Sequence, residues 1–185
     1  MSRPTPSGGA SAVSSATLKV VLGMLVLAAS TFPSGISGRA QAAETAVSGT
    51  FTVDGKKIAL AYAYLDRSDP TEPIVVLSNK PLPAAAIPFI PEKLIKDQKI
   101  YAIAFSVSQK DRKLSNTYGM LSSPENATQV GLGRVEEGEV LLSLTRLDDK
   151  GIEGKIATAK PVTLSYTSKS YSFDLSFKAA PEKRK

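Results

Sequence analysis

The sequence predicts an all-β fold, a single antiparallel β-sandwich of about seven to nine strands with a closed barrel as the alternative, and three observations carry that prediction. From Val47 onward apolar residues recur with period two, in runs rich in β-branched and aromatic side chains. Turn-forming residues separate these runs at short intervals. Pro81, Pro83, Pro88 and Pro91 break the one stretch long enough for a substantial helix, leaving a proline-rich crossover and one short helix.

The chain opens with an address. Arg3 and Lys19 flank, without any acidic residue, the apolar run Val20–Ala29, and Pro33, Gly35 and Gly38 precede Ala40-Gln41-Ala42. This is the order of a cleavable signal peptide, with a small-x-small site that places cleavage after Ala42. The apolar run falls far short of the ~20 residues a membrane-crossing helix needs, so the mature form is expected to have no stable span. Residues 1–42 are therefore read as signal peptide, 43–180 as the β-sandwich domain and 181–185 as a basic disordered tail.

Within the domain, Asp54-Gly55 lies between Thr50–Val53 and Lys57–Leu60 and predicts a tight hairpin, because both residues tolerate positive φ. The loop Asp66–Pro73 leads to a buried strand, Ile74–Leu77. A helix is expected to start at Pro91 and run through Glu92–Asp97. Tyr101, Ile103, Phe105 and Val107 alternate with Ala102, Ala104, Ser106 and Ser108, which predicts one buried and one wet face. Leu114–Tyr118 and Thr128–Leu132 read equally as edge strand or loop. Asp148–Gly151 predicts a four-residue turn between Val140–Thr145 and Ile152–Ile156. Val162, Leu164 and Tyr166 alternate, and Tyr171, Phe173, Leu175 and Phe177 alternate with Ser172, Asp174, Ser176 and Lys178 in the clearest strand of the chain.

Composition removes most catalytic devices. Among 185 residues there is no cysteine, histidine or tryptophan. Disulfides, thiolate nucleophiles, His-based zinc sites and the Ser-His-Asp triad are excluded, and no metal or other cofactor is expected. The formal charge of +6 includes Arg3, Lys19 and Arg39, so the mature chain carries 20 basic and 17 acidic residues, a net +3. Lys183, Arg184 and Lys185 concentrate that charge at the terminus. No basic face interleaved with aromatic residues accompanies it, and no nucleic-acid partner is expected.

The segments Val53-Asp54-Gly55-Lys56, Tyr62-Ala63-Tyr64, Ile74–Leu82 and Tyr171–Phe177 resemble a recurring pattern in secreted bacterial β-rich proteins of unestablished function. The resemblance covers most of the mature chain. It implies export and a β-rich fold, and it transfers no site residue.

Two surfaces are candidates for binding. Tyr62 and Tyr64, read as sharing a strand face with Ile58 and Leu60, present rings suited to stacking on sugars, with core packing as the competing role. Ile87, Phe89 and Ile90 lie in the Pro81–Pro91 segment, whose stiffness lowers the entropy lost on contact, or which caps the sandwich instead. Acidic clusters at Glu136, Glu137 and Glu139 and at Asp148-Asp149 are the remaining candidates for carboxylate chemistry, although adjacent acids on a strand diverge and those in a turn are hydrated. Asp174 is expected to guard a sheet edge. Asn126-Ala127-Thr128 is expected to mark an exposed loop. The sequence thus favours a secreted, non-catalytic binding or envelope-associated module for a protein or envelope-polysaccharide partner. The alternatives are a carboxylate-dependent glycan hydrolase and a protease inhibitor presenting the Pro81–Pro91 loop.

Overall fold

The computed structural model describes residues 46–131, 139–164 and 169–181. The expected signal peptide and the Lys183–Lys185 charges lie outside them. The fold is a sandwich of two antiparallel sheets that do not close into a barrel. Sheet A has the order β2-β1-β11-β9-β8, with β10 also on β11, and sheet B the order β3-β4-β5-β6-β7. The strands are β1 Val47–Val53, β2 Lys56–Ile58, β3 Tyr62–Asp66, β4 Ile74–Ser78, β5 Ala102–Ser108, β6 Lys113–Ser123, β7 Asn126–Gly131, β8 Val140–Asp148, β9 Gly151–Thr158, β10 Val162–Leu164 and β11 Lys169–Ala179. The described residues thus hold eleven strands rather than seven to nine, because the chain divides its ladders into short segments.

Both hairpins follow local turn chemistry. Asp54 and Gly55 sit at φ 47° and 78°, the positive pair that matches the twist of adjoining strands. In the second hairpin β8 runs to Asp148 and β9 starts at Gly151, which shortens the expected turn to two residues. The Asp148 carboxylate accepts the Lys150 and Gly151 amides at 2.8 and 3.1 Å. It is a turn former, as its sequence position predicts.

β11 is the centre of sheet A. Tyr171, Phe173, Leu175, Phe177 and Ala179 point inward and are buried, as the alternation predicts. β1 pairs along one side and β9 and β10 along the other. Asp174 is exposed on the outer face of this interior strand, so the expectation that it guards an edge is corrected. The β1–β11 approach requires glycine at position 49, where φ is +119° and a Cβ would stand 2.1 Å from the Asp174 carbonyl oxygen. Between the sheets Phe177 meets Phe105 edge to face at 5.5 Å, and on the inner face of sheet A Phe51 stacks on Tyr171 at 6.5 Å. Val75, Leu77, Ile103, Val107 and Leu121 complete the core from sheet B.

Sheet B is buried on both faces. Its outer face carries Tyr64, Val76, Ala102, Ala104 and Met120, and Leu82, Ile90, Ile95 and Ile100 pack onto it as a second core. The covering segment is the proline-rich crossover, with a 3-10 turn at Ala84–Ala86, followed by the helix α1, Glu92–Gln98. Pro91 caps α1 from one residue before its first turn. The helix buries Ile95 and stops where Lys99 turns left-handed at φ 52°. Ala102, Ala104 and Ser106 are therefore buried rather than wet. Small side chains let the cover approach, whereas large ones line the opposite face.

Three further expectations change. The chain leaves sheet A after Ile58 and enters sheet B at Tyr62. Ala61 ties the crossing, donating to the Ser78 carbonyl at 2.9 Å and accepting from the Ala46 amide at 3.2 Å. Leu114–Tyr118 belongs to β6, an interior strand between β5 and β7. Asn126 opens edge strand β7 rather than marking a loop. Pro181 forms an isolated parallel bridge with Leu65.

Because Phe177 fills the space between the sheets, Phe177→Ala leaves a cavity at their contact. The expected loss is about 3–5 kcal/mol in urea unfolding, against about 0.5 kcal/mol for Ser176→Ala, a half-buried residue on the outer face.

Candidate functional site

The two surfaces proposed from the sequence prove to be the two sides of one contact. Tyr62 and Tyr64 lie on β3 and face outward from sheet B, while Ile58 and Leu60 join the inner core. The expected shared face is corrected, because the chain changes sheets between the two pairs. The crossover lies over the tyrosines. Tyr64 is 7% exposed and its hydroxyl accepts the Leu82 amide at 2.7 Å. Ile90 is 2% exposed, and Tyr62 and Ile87 are half-buried against the same cluster. Phe89 points the other way and is 59% exposed. Of the five residues, the outer-face core buries two and half-buries two, and Phe89 is presented to solvent as an apolar surface.

This arrangement has a simple local origin. Prolines 88 and 91 flank the segment, and half-buried Ile87 and buried Ile90 both pack into the outer-face cluster. Ile87 and Ile90 anchor inward on either side of Phe89, which leaves the intervening ring at the surface. The segment that carries the ring is irregular, and Ile87 and Ile90 on either side of it pack on the outer face of sheet B.

A second cluster lies at one end of the sandwich, where the β1–β2 turn, the start of β5, the β6–β7 turn and the start of β11 converge. The Tyr101 hydroxyl donates to Glu125 Oε1 at 2.5 Å. The Lys56 ammonium stands 5.6 Å from the centre of the Tyr101 ring. Lys169 pairs with Asp54 at 3.0 Å, and Asp54 also accepts the Ser170 amide at 2.9 Å. Burial, then the bond to Glu125, pushes the Tyr101 phenol up to about 12. Burial acts to raise the Glu125 carboxyl, but hydrogen bonds from Tyr101, its own amide and Ser123, with the charge of Lys169, hold it below the ordinary glutamate range. The Ser170 amide, then Lys169, likewise depress Asp54. These shifts fix Tyr101 protonated and both carboxylates ionised at neutral pH. They move the groups away from the middle of the scale, where a general acid or base works best, so the cluster reads as a tie between loops. The sequence holds no signal for it, since Tyr101 and Glu125 are brought together only by the β5–β6 pairing.

The acidic candidates separate as well. Glu136 and Glu137 lie outside the described residues. Glu139 pairs with Lys160 at 2.7 Å, and Asp148 with Arg146 at 2.8 Å. Among the described residues no cluster of three or more acids could hold a metal ion. No helix among them is long and apolar enough to cross a membrane.

Comparison of the chain with protein-family models, with curated proteins and with solved structures returns no match.

The depressed Glu125 carboxyl carries a pH dependence. Its contribution to stability is present above the ordinary value of 4.5 and is lost as the pH falls through the lower folded-state value. Glu125→Gln is expected to cost about 0.5–1 kcal/mol near neutrality, after screening of a partly exposed bond. The gap from the parent should narrow in urea titrations as the pH falls below 4.5.

Proposed function

We propose that this chain is an exported, non-catalytic binding module that presents Phe89 to a protein or polysaccharide of the cell envelope. Cleavage after Ala42 accounts for export. One observation carries the binding reading: Phe89 is 59% exposed on a segment that packs Ile87 and Ile90 against the outer-face core. Aromatic side chains held in this way dominate interface energies, because little conformational entropy is lost when they are covered. A ring can insert into a protein groove or stack against the apolar face of a sugar. The buried Tyr64 and Ile90 support this surface from below and have no direct share in contact.

The reading predicts a separation among substitutions. Phe89→Ser leaves the outer-face core intact, whereas Ile90→Ser buries a hydroxyl in it and destabilises the fold. The exported chain should co-sediment with cell-envelope or insoluble polysaccharide fractions at both low and high salt. Phe89→Ser should weaken capture about tenfold or more, on the scale of a lost interface anchor, with no change in the unfolding midpoint. Capture unaffected by Phe89→Ser, or no capture in any fraction, contradicts the reading. Capture abolished by salt assigns the contact to Lys183, Arg184 and Lys185.

A further inference from the structure

The open edges of the two sheets differ in how they are protected. β2 is three residues long and carries Lys56 and Lys57, and β3 has five residues. β7 has six residues. β8 has nine, and its segment Val140-Leu141-Leu142-Ser143-Leu144-Thr145 holds neither charge nor proline. Among the described residues its ladder is made to β9 alone. An edge of this kind leaves a row of peptide groups that another strand can pair, and proteins normally blunt it with charges, proline or short length.

The side chains point to the same incompleteness. Val140, Leu142 and Leu144 pack against the inner core yet remain half-buried, so the core is unfinished along this edge. On the outer face Leu141 is 55% exposed, one of two large apolar side chains so exposed among the described residues. The occupant that satisfies both rows is a β-strand with apolar residues at alternate positions.

We propose that two copies of this chain pair antiparallel through β8 about a two-fold axis at Leu142. That axis sets Leu142 against Leu142, Val140 against Leu144 and Leu141 against Ser143. Inward residues meet only inward residues, so the two cores continue into one another. The ends are compatible in charge. One copy brings the Glu139–Lys160 pair and the other Arg146 with Asp148 and Glu153, so both signs are present at each end and no charged residue opposes its own copy. The ladder is short, because β8 bulges between Leu144 and Arg146. Five paired residues span about 17 Å, which makes a weak, concentration-dependent dimer rather than an obligate one.

The test is sedimentation of the exported chain from micromolar to near-millimolar concentration, with hydrogen exchange of the β8 amides. The mass should rise from one chain toward two, and amides of Val140–Leu144 should gain protection over the same range. Leu141→Glu with Ser143→Glu places like charges across the dyad at exposed positions, while position 143 faces Lys155 of its own chain favourably, and should hold the chain at one copy with its unfolding midpoint unchanged. A single-chain mass at the highest concentration overturns the proposal, as does a dimer unaffected by the double substitution. If the double variant does not fold, concentration-independent exchange of β8 in the parent overturns it equally.

Discussion

The edge-to-face contact of Phe105 with Phe177, 5.5 Å between ring centres, joins the middle of one sheet to the middle of the other, and the rest of the architecture is arranged around it. Phe177 belongs to β11, the last strand of the chain, which pairs with β1, the first, and with β9 and β10. Sheet A therefore forms only when both ends of the domain have met. With no cysteine in the chain, no disulfide holds those ends together. Burial of the aromatic row Tyr171, Phe173 and Phe177 against Phe51 and Phe105 is what offsets the entropy of that long closure.

The two sheets have opposite roles. Sheet A has one dry and one wet face, and its outer surface carries ion pairs such as Arg146 with Glu153 at 2.9 Å, which contribute little. Sheet B is dry on both faces, so Pro81–Pro91 and α1 are as much part of the core as the strands beneath. That constraint narrows the choice of a contact surface. A crossover that packs this closely cannot also offer its isoleucines to a partner, and the functional reading rests on the single ring it turns outward.

What was legible in the sequence is what local chemistry determines. Asp54-Gly55 and Asp148–Gly151 announce their hairpins because the turn residues themselves supply the required geometry, and β11 is plain because large residues alternate strictly with polar ones. The sheet change at Ala59–Ala61 was not legible, since alanines and a leucine read equally well as a continuing strand. The outer face of β5 misled for a related reason. Alanine at positions 102 and 104 is compatible with a wet surface or with a tightly covered one, and only the position of Ile95 and Ile100 decides between them. The same holds for the site. Tyr62, Tyr64, Ile87 and Ile90 read in the sequence as binding candidates with core packing as the competing role, because a sequence does not say that two such surfaces cover one another. The Tyr101–Glu125 pair was invisible because its partners lie beside different strands, one just before β5 and the other in the β6–β7 turn, and only the fold brings them together.

Native-state hydrogen exchange at the crossover tests the central claim, that this segment is core rather than a loop. The Leu82 amide, bonded to the Tyr64 hydroxyl at 2.7 Å, and the Ile95 amide in α1 should exchange only through the opening that exposes Val76 and Ile103 in sheet B. Exchange of Leu82 and Ile95 at rates typical of surface loops, with Val76 and Ile103 still protected, would show that the cover lifts from an intact sheet and would contradict the account.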